Sequence, residues 1–338
     1  MESPPLQVTF DDVLIVPGYS SISSRDEVSL FQENVLLNHS FDIPFISSNM
    51  DTITEYDMAS FMAHEGGLGI WHRYMSVREA IEVYEKWSVN ELNPLAISIG
   101  CLKKDKTRID ALLEYGSPSM ILCIDTAHGD SINMKQTLNY IRNDRNFKGA
   151  VIAGNVCTPQ GTQRLLDWGA DMVKVGIGPG SVCTTRIKTG CGYPQFSAIM
   201  KCSKVGPIIA DGGISKPADA CKALAAGAKM VMLGGMLAGT DKTPSWESAS
   251  EDIEFRGMAS KEAREAFEGV SKNAEGVSCM IKAKPKGSTR ETINWLVEGL
   301  KSSLSYVGAS TLDEFRKSVS FVQVTSNVIV ENGSHIKD

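Results

Sequence analysis

One segment carries the residue types that covalent chemistry needs. Residues 176–195, GIGPGSVCTTRIKTGCGYPQ, set Cys183 among glycine, serine and threonine instead of the apolar neighbours of a core cysteine. A thiol on such a loop is a candidate nucleophile, because sulfur attacks an electrophilic carbon and later leaves. Backbone dipoles and a nearby cation would favour its thiolate. Thr184 and Thr185 place hydroxyls beside it, either to relay a proton or to cap the loop. Cys191, on the same stretch, is its rival. Two glycine pairs, Gly212-Gly213 and Gly234-Gly235, each end an apolar run. Glycine lets backbone amides approach oxygens closely, so the two pairs point to a phosphate site. Asp211 directly precedes the first glycine pair, and Asp125 is an acid at the end of another run. Asp125 could hold a ribose or amide group, or cap the following helix.

These residues need a scaffold that brings strand ends together. Eight short apolar runs occur at 44–50, 66–71, 94–100, 119–125, 149–156, 170–178, 206–213 and 228–235. Most are continuous instead of alternating, as in strands buried on both faces. Helical spacing appears between them at 54–64, 76–88, 158–168 and 215–226, and again at 291–305. Thr158-Pro159 reads as an N-cap followed by proline at the first helical position. Eight βα units predict a single α/β domain, a (β/α)8 TIM barrel over 1–338. An open doubly wound sheet would carry a Gly-rich turn after its first strand. Here Asn49-Met50-Asp51-Thr52 follows instead. Residues 240–290 interrupt the rhythm with polar sequence, which predicts a flap after strand 8, partly ordered on a ligand through apolar spots such as Phe255 and Phe267.

Composition excludes several classes. Thirty-four Lys and Arg against 40 Asp and Glu leave a net charge of −6. That balance argues against nucleic acid as a partner, which needs a basic footprint. No apolar run is long enough to span a membrane. Eight scattered cysteines without a C-x-x-C pair, and no signal-like start, suggest a reduced, cytoplasmic protein. His72 and His128 have no second ligand at zinc spacing. No G-x-S-x-G elbow or P-loop occurs, and the glycines of 176–180 do not fit the dinucleotide fingerprint.

GIGPGSVCTTR (176–186) and KTGCGYPQ (188–195) resemble the catalytic loop of the IMP dehydrogenase/GMP reductase family. SSNMDT (47–52), IDTAHG (124–129), IAGNV (152–156), IADGGIS (209–215) and GGMLAGT (234–240) extend the resemblance over nearly the whole chain. Dehydrogenases of the family carry regulatory CBS domains after the second strand's helix. Here about two dozen residues separate His72 from the third strand, so those domains are not expected. Dehydrogenases also place an Arg-Tyr pair on the flap, and residues 240–290 contain none. GYPQ (192–195) and SSLSYVGA (302–309) look like the reductase, whereas IDTAHG and KALAAGA look like the dehydrogenase.

The reductase resemblance implies NADPH-dependent conversion of GMP to IMP and ammonia through a covalent thioimidate on Cys183. It assigns proton handling to Thr185 and Glu275. It implies nucleotide contacts at Ser181, Asp211, Gly212, Gly213, Gly234, Gly235, Gly257, Met258 and Lys272. Cofactor contacts carry over to Arg73, Asp125, Thr126 and Ala127, and to Ser302, Ser303 and Ser305 from a neighbouring subunit of a homotetramer. Arg73 stands where lysine is usual. A potassium ion would rest on the carbonyls of Gly178, Gly180 and Cys183. Lys272 and Ala274 replace the arginine and serine usual beside the purine, which suggests altered recognition, as of a deoxynucleotide or modified guanine. Lysine keeps the charge but loses the bidentate fork. A dehydrogenase lacking its regulatory domains, and a nucleotide-binding protein without turnover, are the alternatives.

Overall fold

The computed structural model describes residues 5–90, 94–115, 119–244, 246, 252–269, 274–282 and 287–332. Eight parallel strands close into a barrel: β1 (Phe45–Ser47), β2 (Leu68–Trp71), β3 (Ala96–Ile99), β4 (Ile121–Asp125), β5 (Val151–Val156), β6 (Met172–Val175), β7 (Ile208–Asp211) and β8 (Met230–Leu233). Each falls inside one of the eight apolar runs. β8 pairs with β1, so no barrel edge is left open.

Helices α1 (Tyr56–His64), α2 (Val77–Val89), α3 (Lys106–Tyr115), α4 (Ile132–Asn139), α5 (Pro159–Asp167), α6 (Gln195–Cys202) and α7 (Pro217–Ala225) follow the first seven strands. The expected cap at Thr158 forms, its hydroxyl accepting the Gly161 amide at 3.1 Å. A Thr-to-Ala change at such a cap costs about 1 kcal/mol.

Strand periodicity sorts the side chains. Leu122, Ile124, Val173, Val175, Ile208 and Ala210 pack outward in the core shared with the helices. Ile121, Cys123, Met172 and Ile209 fill the barrel interior. Continuing the same inward series toward the C-terminal ends brings up Asp125, Lys174 and Asp211. Period two therefore places an acid, a base and an acid at the barrel mouth. A hairpin of Gln32–Leu36 with His39–Phe41 contributes Leu36 and Phe41 to the interior core.

The flap after β8 has secondary structure of its own. It holds an antiparallel hairpin, β9 (Asp252–Arg256) and β10 (Ser278–Lys282), with helix α8 (Lys261–Glu268) between them. Ile253 and Phe255 are the buried positions of β9, so alternation anchors the hairpin on one face. Helix α9 (Thr289–Tyr306) then completes the ring and packs on α7.

Candidate active site

A cavity of about 470 Å3 opens at the C-terminal ends of the strands. Its floor is the acid–base–acid layer. Lys174 Nζ donates to Asp125 Oδ1 at 2.6 Å and lies 3.5 Å from Asp211 Oδ2 and 3.4 Å from Asn49 Oδ1. Its side chain is only 2 % exposed, so these partners replace water for the ammonium. Asn155 Nδ2 donates to the same Asp211 oxygen at 2.7 Å and to the Gly176 carbonyl at 2.8 Å. Burial works against the charge of Asp125, yet the Lys174 ammonium holds its carboxyl below the usual carboxylate range. Burial works against Lys174 as well, and the two carboxylates hold it above the usual lysine range. Gly154 makes room for this arrangement, since a Cβ there would lie 2.5 Å from Lys174 Cβ.

Above the floor, the loop after β6 and the end of the flap meet. Cys183 Sγ lies 3.3 Å from Thr185 Oγ1, and Thr185 Oγ1 donates to Glu275 Oε2 at 2.9 Å. Backbone bonds fix this contact. The Thr184 amide donates to the Glu275 carbonyl at 3.0 Å, and the Val277 amide to the Val182 carbonyl at 3.0 Å. Lys188 Nζ donates to the Ala274 carbonyl. Two residues ninety positions apart thus face one thiol. Cys183, Thr185 and Glu275 all line the cavity.

The other cysteines divide by position. Burial pushes the thiols of Cys123 and Cys221 up to about 12 and that of Cys202 up to about 11, which leaves them protonated. Cys191 is exposed and does not line the cavity; Cys101 does, but burial raises its thiol.

The glycine pairs converge with the loop. Gly212 (φ +94°) and Gly213 (φ +82°) adopt the left-handed region, and a Cβ on Gly212 would lie 2.9 Å from Pro179 Cγ. Only glycine meets both demands without strain. A Cβ on Gly235 would lie 2.9 Å from Ser181 Oγ. The turn at Pro179–Ser181 therefore bridges the two pairs, with Gly234 beside Ser48. Gly257 and Met258 enter from the flap and line the cavity.

Arg73, Asp125, Thr126 and Ala127 share a wall with Gly100, Cys101 and Leu102. Ser302, Ser303 and Ser305 do not line the cavity of their own chain. They lie on α9, where Ser302 and Ser305 hydroxyls bond to the carbonyls of Glu298 and Ser302. Lys272 lies outside the described residues. Of the carbonyls expected for a monovalent cation, that of Gly180 accepts the Cys183 amide at 3.1 Å. This donor is engaged inside the turn. Among the described residues no group of three His, Cys, Asp or Glu side chains could hold a metal ion.

Several cavity residues escaped the sequence reading, among them Tyr74, Asp105, Arg264, Lys174 and Ser48. Lys174 was masked by its apolar run, although a lone lysine inside MVKV was the available signal. Ser48 is 5 % exposed, lines the cavity and has a buried hydroxyl with no protein partner. A buried hydroxyl facing a cavity is satisfied by what enters it. His72, by contrast, sits 3.3 Å from Glu55 outside the cavity.

The family model described as IMP dehydrogenase / GMP reductase domain matches residues 7–335. The chain belongs to this family. A GMP reductase from Shewanella pealeana is 37 % identical, over 94 % of this chain and 95 % of its own. An inosine-5'-monophosphate dehydrogenase from Cryptosporidium parvum is 36 % identical, over 98 % of this chain and 95 % of its own. Among solved structures, GMP reductase from Trypanosoma brucei, in complex with guanosine 5'-monophosphate, superposes with a TM-score of 0.89. It is 28 % identical, with 99 % of each chain covered. Family membership makes the chain an oxidoreductase of purine metabolism. No described helix is long and apolar enough to cross a membrane.

Proposed function

We propose that this family member is a GMP reductase. The observation that carries the reading is the relay from Cys183 through Thr185 to Glu275 at the cavity mouth. A reductase must expel ammonia, and a departing amine needs a proton delivered where the thiol attacks. The absence of an Arg-Tyr pair from 240–290 in the sequence removes the water activator that a dehydrogenase uses.

In this reading Cys183 Sγ bonds to C2 of the guanine. The thiol proton moves through the Thr185 hydroxyl to Glu275, and as the C2–N2 bond breaks it returns by the same path to the leaving nitrogen. The purine stays on sulfur as a thioimidate. Held at the wall of Arg73, Asp125, Thr126 and Ala127, NADPH would supply a hydride to C2. The C–S bond then breaks and the thiolate leaves with both its electrons. The balance is GMP + NADPH + H+ → IMP + NADP+ + NH3.

Asp211 takes the ribose hydroxyls. Ser181 and the two glycine pairs take the phosphate, joined by Ser48. Arg73, Asp125, Thr126 and Ala127 form the cofactor wall. Ser302, Ser303 and Ser305, remote from their own cavity, serve a neighbour in a homotetramer. Potassium on the Gly178, Gly180 and Cys183 carbonyls would order the loop, the Gly180 oxygen using its second lone pair. The chain acts as one catalytic domain without CBS domains. A cytoplasmic setting fits its eight free cysteines.

The second reading is an IMP dehydrogenase, favoured by the 36 % identity to the Cryptosporidium parvum enzyme. One assay separates them. Purified protein with GMP and NADPH should release ammonia and IMP while reduced nicotinamide absorbance falls. Formation of NADH from IMP and NAD+ instead would establish the dehydrogenase. Comparing dGMP with GMP tests the expectation raised by Lys272 and Ala274. A strong ordinary preference for GMP would remove it.

A further inference from the structure

A contact set outside the relay ties the flap to the barrel. Arg256, the last residue of β9, donates through Nε and Nη2 to Asp51 Oδ2 at 3.0 and 2.5 Å. Asp51 belongs to the turn after β1. Both side chains are largely buried, 15 % and 5 % exposed. The Arg256 amide lies 3.4 Å from Thr52 Oγ1, on the same turn. Its guanidinium also lies 5.9 Å from the Phe267 ring centroid on α8. Phe267 stacks on Tyr74 at 4.8 Å with 11° between the rings. The Tyr74 hydroxyl donates to the Met258 carbonyl at 2.6 Å. Two points of the barrel, the turns after β1 and β2, thus grip both ends of the segment from Arg256 to Phe267.

This grip lies a short lever away from the relay. The amide of Gly257, next to Arg256, donates to the Val277 carbonyl at 3.1 Å. The Glu275 amide donates to the Ala259 carbonyl at 2.8 Å. Whatever fixes residues 256–259 therefore holds the backbone of Glu275 from the flap side, opposite the Thr184 amide on the β6 loop. Side-chain bonds alone would not: among the described residues the Glu275 carboxylate reaches the Thr185 hydroxyl, on a loop that is itself half exposed.

We propose that Arg256 is a positioning residue for the reaction, acting with Asp51 as the latch that holds Glu275 on Thr185. Tyr74 and Phe267 are the second, weaker point of the same latch. A charged pair suits this task. In a site closed from water it is directional, and it fixes the register of the hairpin. The inference rests on the reading of Glu275 as proton donor, and its test has an arm independent of turnover.

The first arm is hydrogen exchange of the full chain, comparing wild type with R256M and with D51N/R256M. The double variant removes the pair without leaving a buried lone carboxylate. Both should speed exchange of the Glu275 and Val277 amides and leave the β6 amide of Val173 unchanged. Unchanged exchange at 275 and 277 overturns the latch.

The second arm is kinetic. R256M should lower kcat on the order of 10²-fold, the cost of misplacing a reacting group by about 1 Å. KM for GMP should move far less, and R256K should recover part of the loss. Combined with E275Q, R256M should add nothing, because both act through one group. A further loss on the E275Q background, or wild-type kcat in R256M, overturns the proposal. Faster exchange in a protein that never consumes GMP would keep the latch and overturn the reductase reading. Unchanged exchange in an active reductase would do the reverse.

Discussion

The barrel floor and the flap position their chemical groups by different means. On the floor, Asp125, Lys174 and Asp211 stand on three strands whose pairing leaves them no choice of place. One ammonium is shared by the two carboxylates, and the core beneath them is buried. On the flap, Glu275 is held by backbone bonds to residues 184 and 259 and by one hydroxyl. Helix α8 next to it leaves Phe267 45 % exposed. The floor is preorganised at the time of folding. The flap reaches its geometry through a few replaceable contacts, which suits a part that must admit a nucleotide and then close on it.

The comparison predicts a split between activity and stability. The largest effect belongs to Cys183→Ala. Loss of the nucleophile should cut turnover on the order of 10⁴-fold or more, with nucleotide still bound. Direct titration with GMP separates the two.

Lys174→Met should follow, and should show in stability. Removing one partner of a buried ion pair costs about 3–5 kcal/mol, because the remaining charge stays buried. Denaturant unfolding measures this loss. Its pH dependence should change sign. In the wild type the depressed carboxyl of Asp125 stabilises the fold above its unfolded value of about 4. That contribution is lost as pH falls through the lower folded value. The raised ammonium of Lys174 contributes fully below its unfolded value of about 10.4 and fades as pH rises through the folded one. In Lys174→Met the strongest influence opposing burial is gone, and with Arg73 and the Asn49 hydrogen bond left to hold the carboxyl down, the pKa of Asp125 rises. Stability should then increase as pH falls from 7 toward 5. A flat or falling profile would mean that the floor does not depend on this ion pair.

Glu275→Gln should cost on the order of 10²-fold in kcat, the usual value of a proton-transfer group. Its effect on unfolding should be slight, which sharpens the contrast with Lys174. Thr158→Ala, far from both regions, sets the scale at the small end. It should cost about 1 kcal/mol of stability and leave turnover unchanged.

The fold was legible because each of the eight strands is an apolar run of its own length, closed by polar or glycine residues. The Cys183 loop was legible because its composition breaks the rule for buried cysteines. The two glycine pairs were legible, though their contact through Pro179–Ser181 needed three dimensions. Lys174 was hidden because hydrophobic patterning treats a lone charge in a strand as noise, whereas register makes it the centre of the floor. The flap hairpin was hidden for another reason. Ile253 and Phe255 are too few to announce a strand amid polar neighbours, and their partner lies more than twenty residues away. Glu275 reads as a solvated charge until the fold sets it against Thr185. Only the family resemblance singled it out beforehand.

The central claim is that guanine C2 becomes bonded to Cys183. Acid quenching during turnover with GMP and NADPH, followed by peptide mass spectrometry, tests it most directly. A purine adduct on the peptide that contains Cys183, absent without GMP and absent in Cys183→Ala, is the predicted result. An adduct on Cys101 or Cys191 instead, or undiminished turnover in Cys183→Ala, would contradict it.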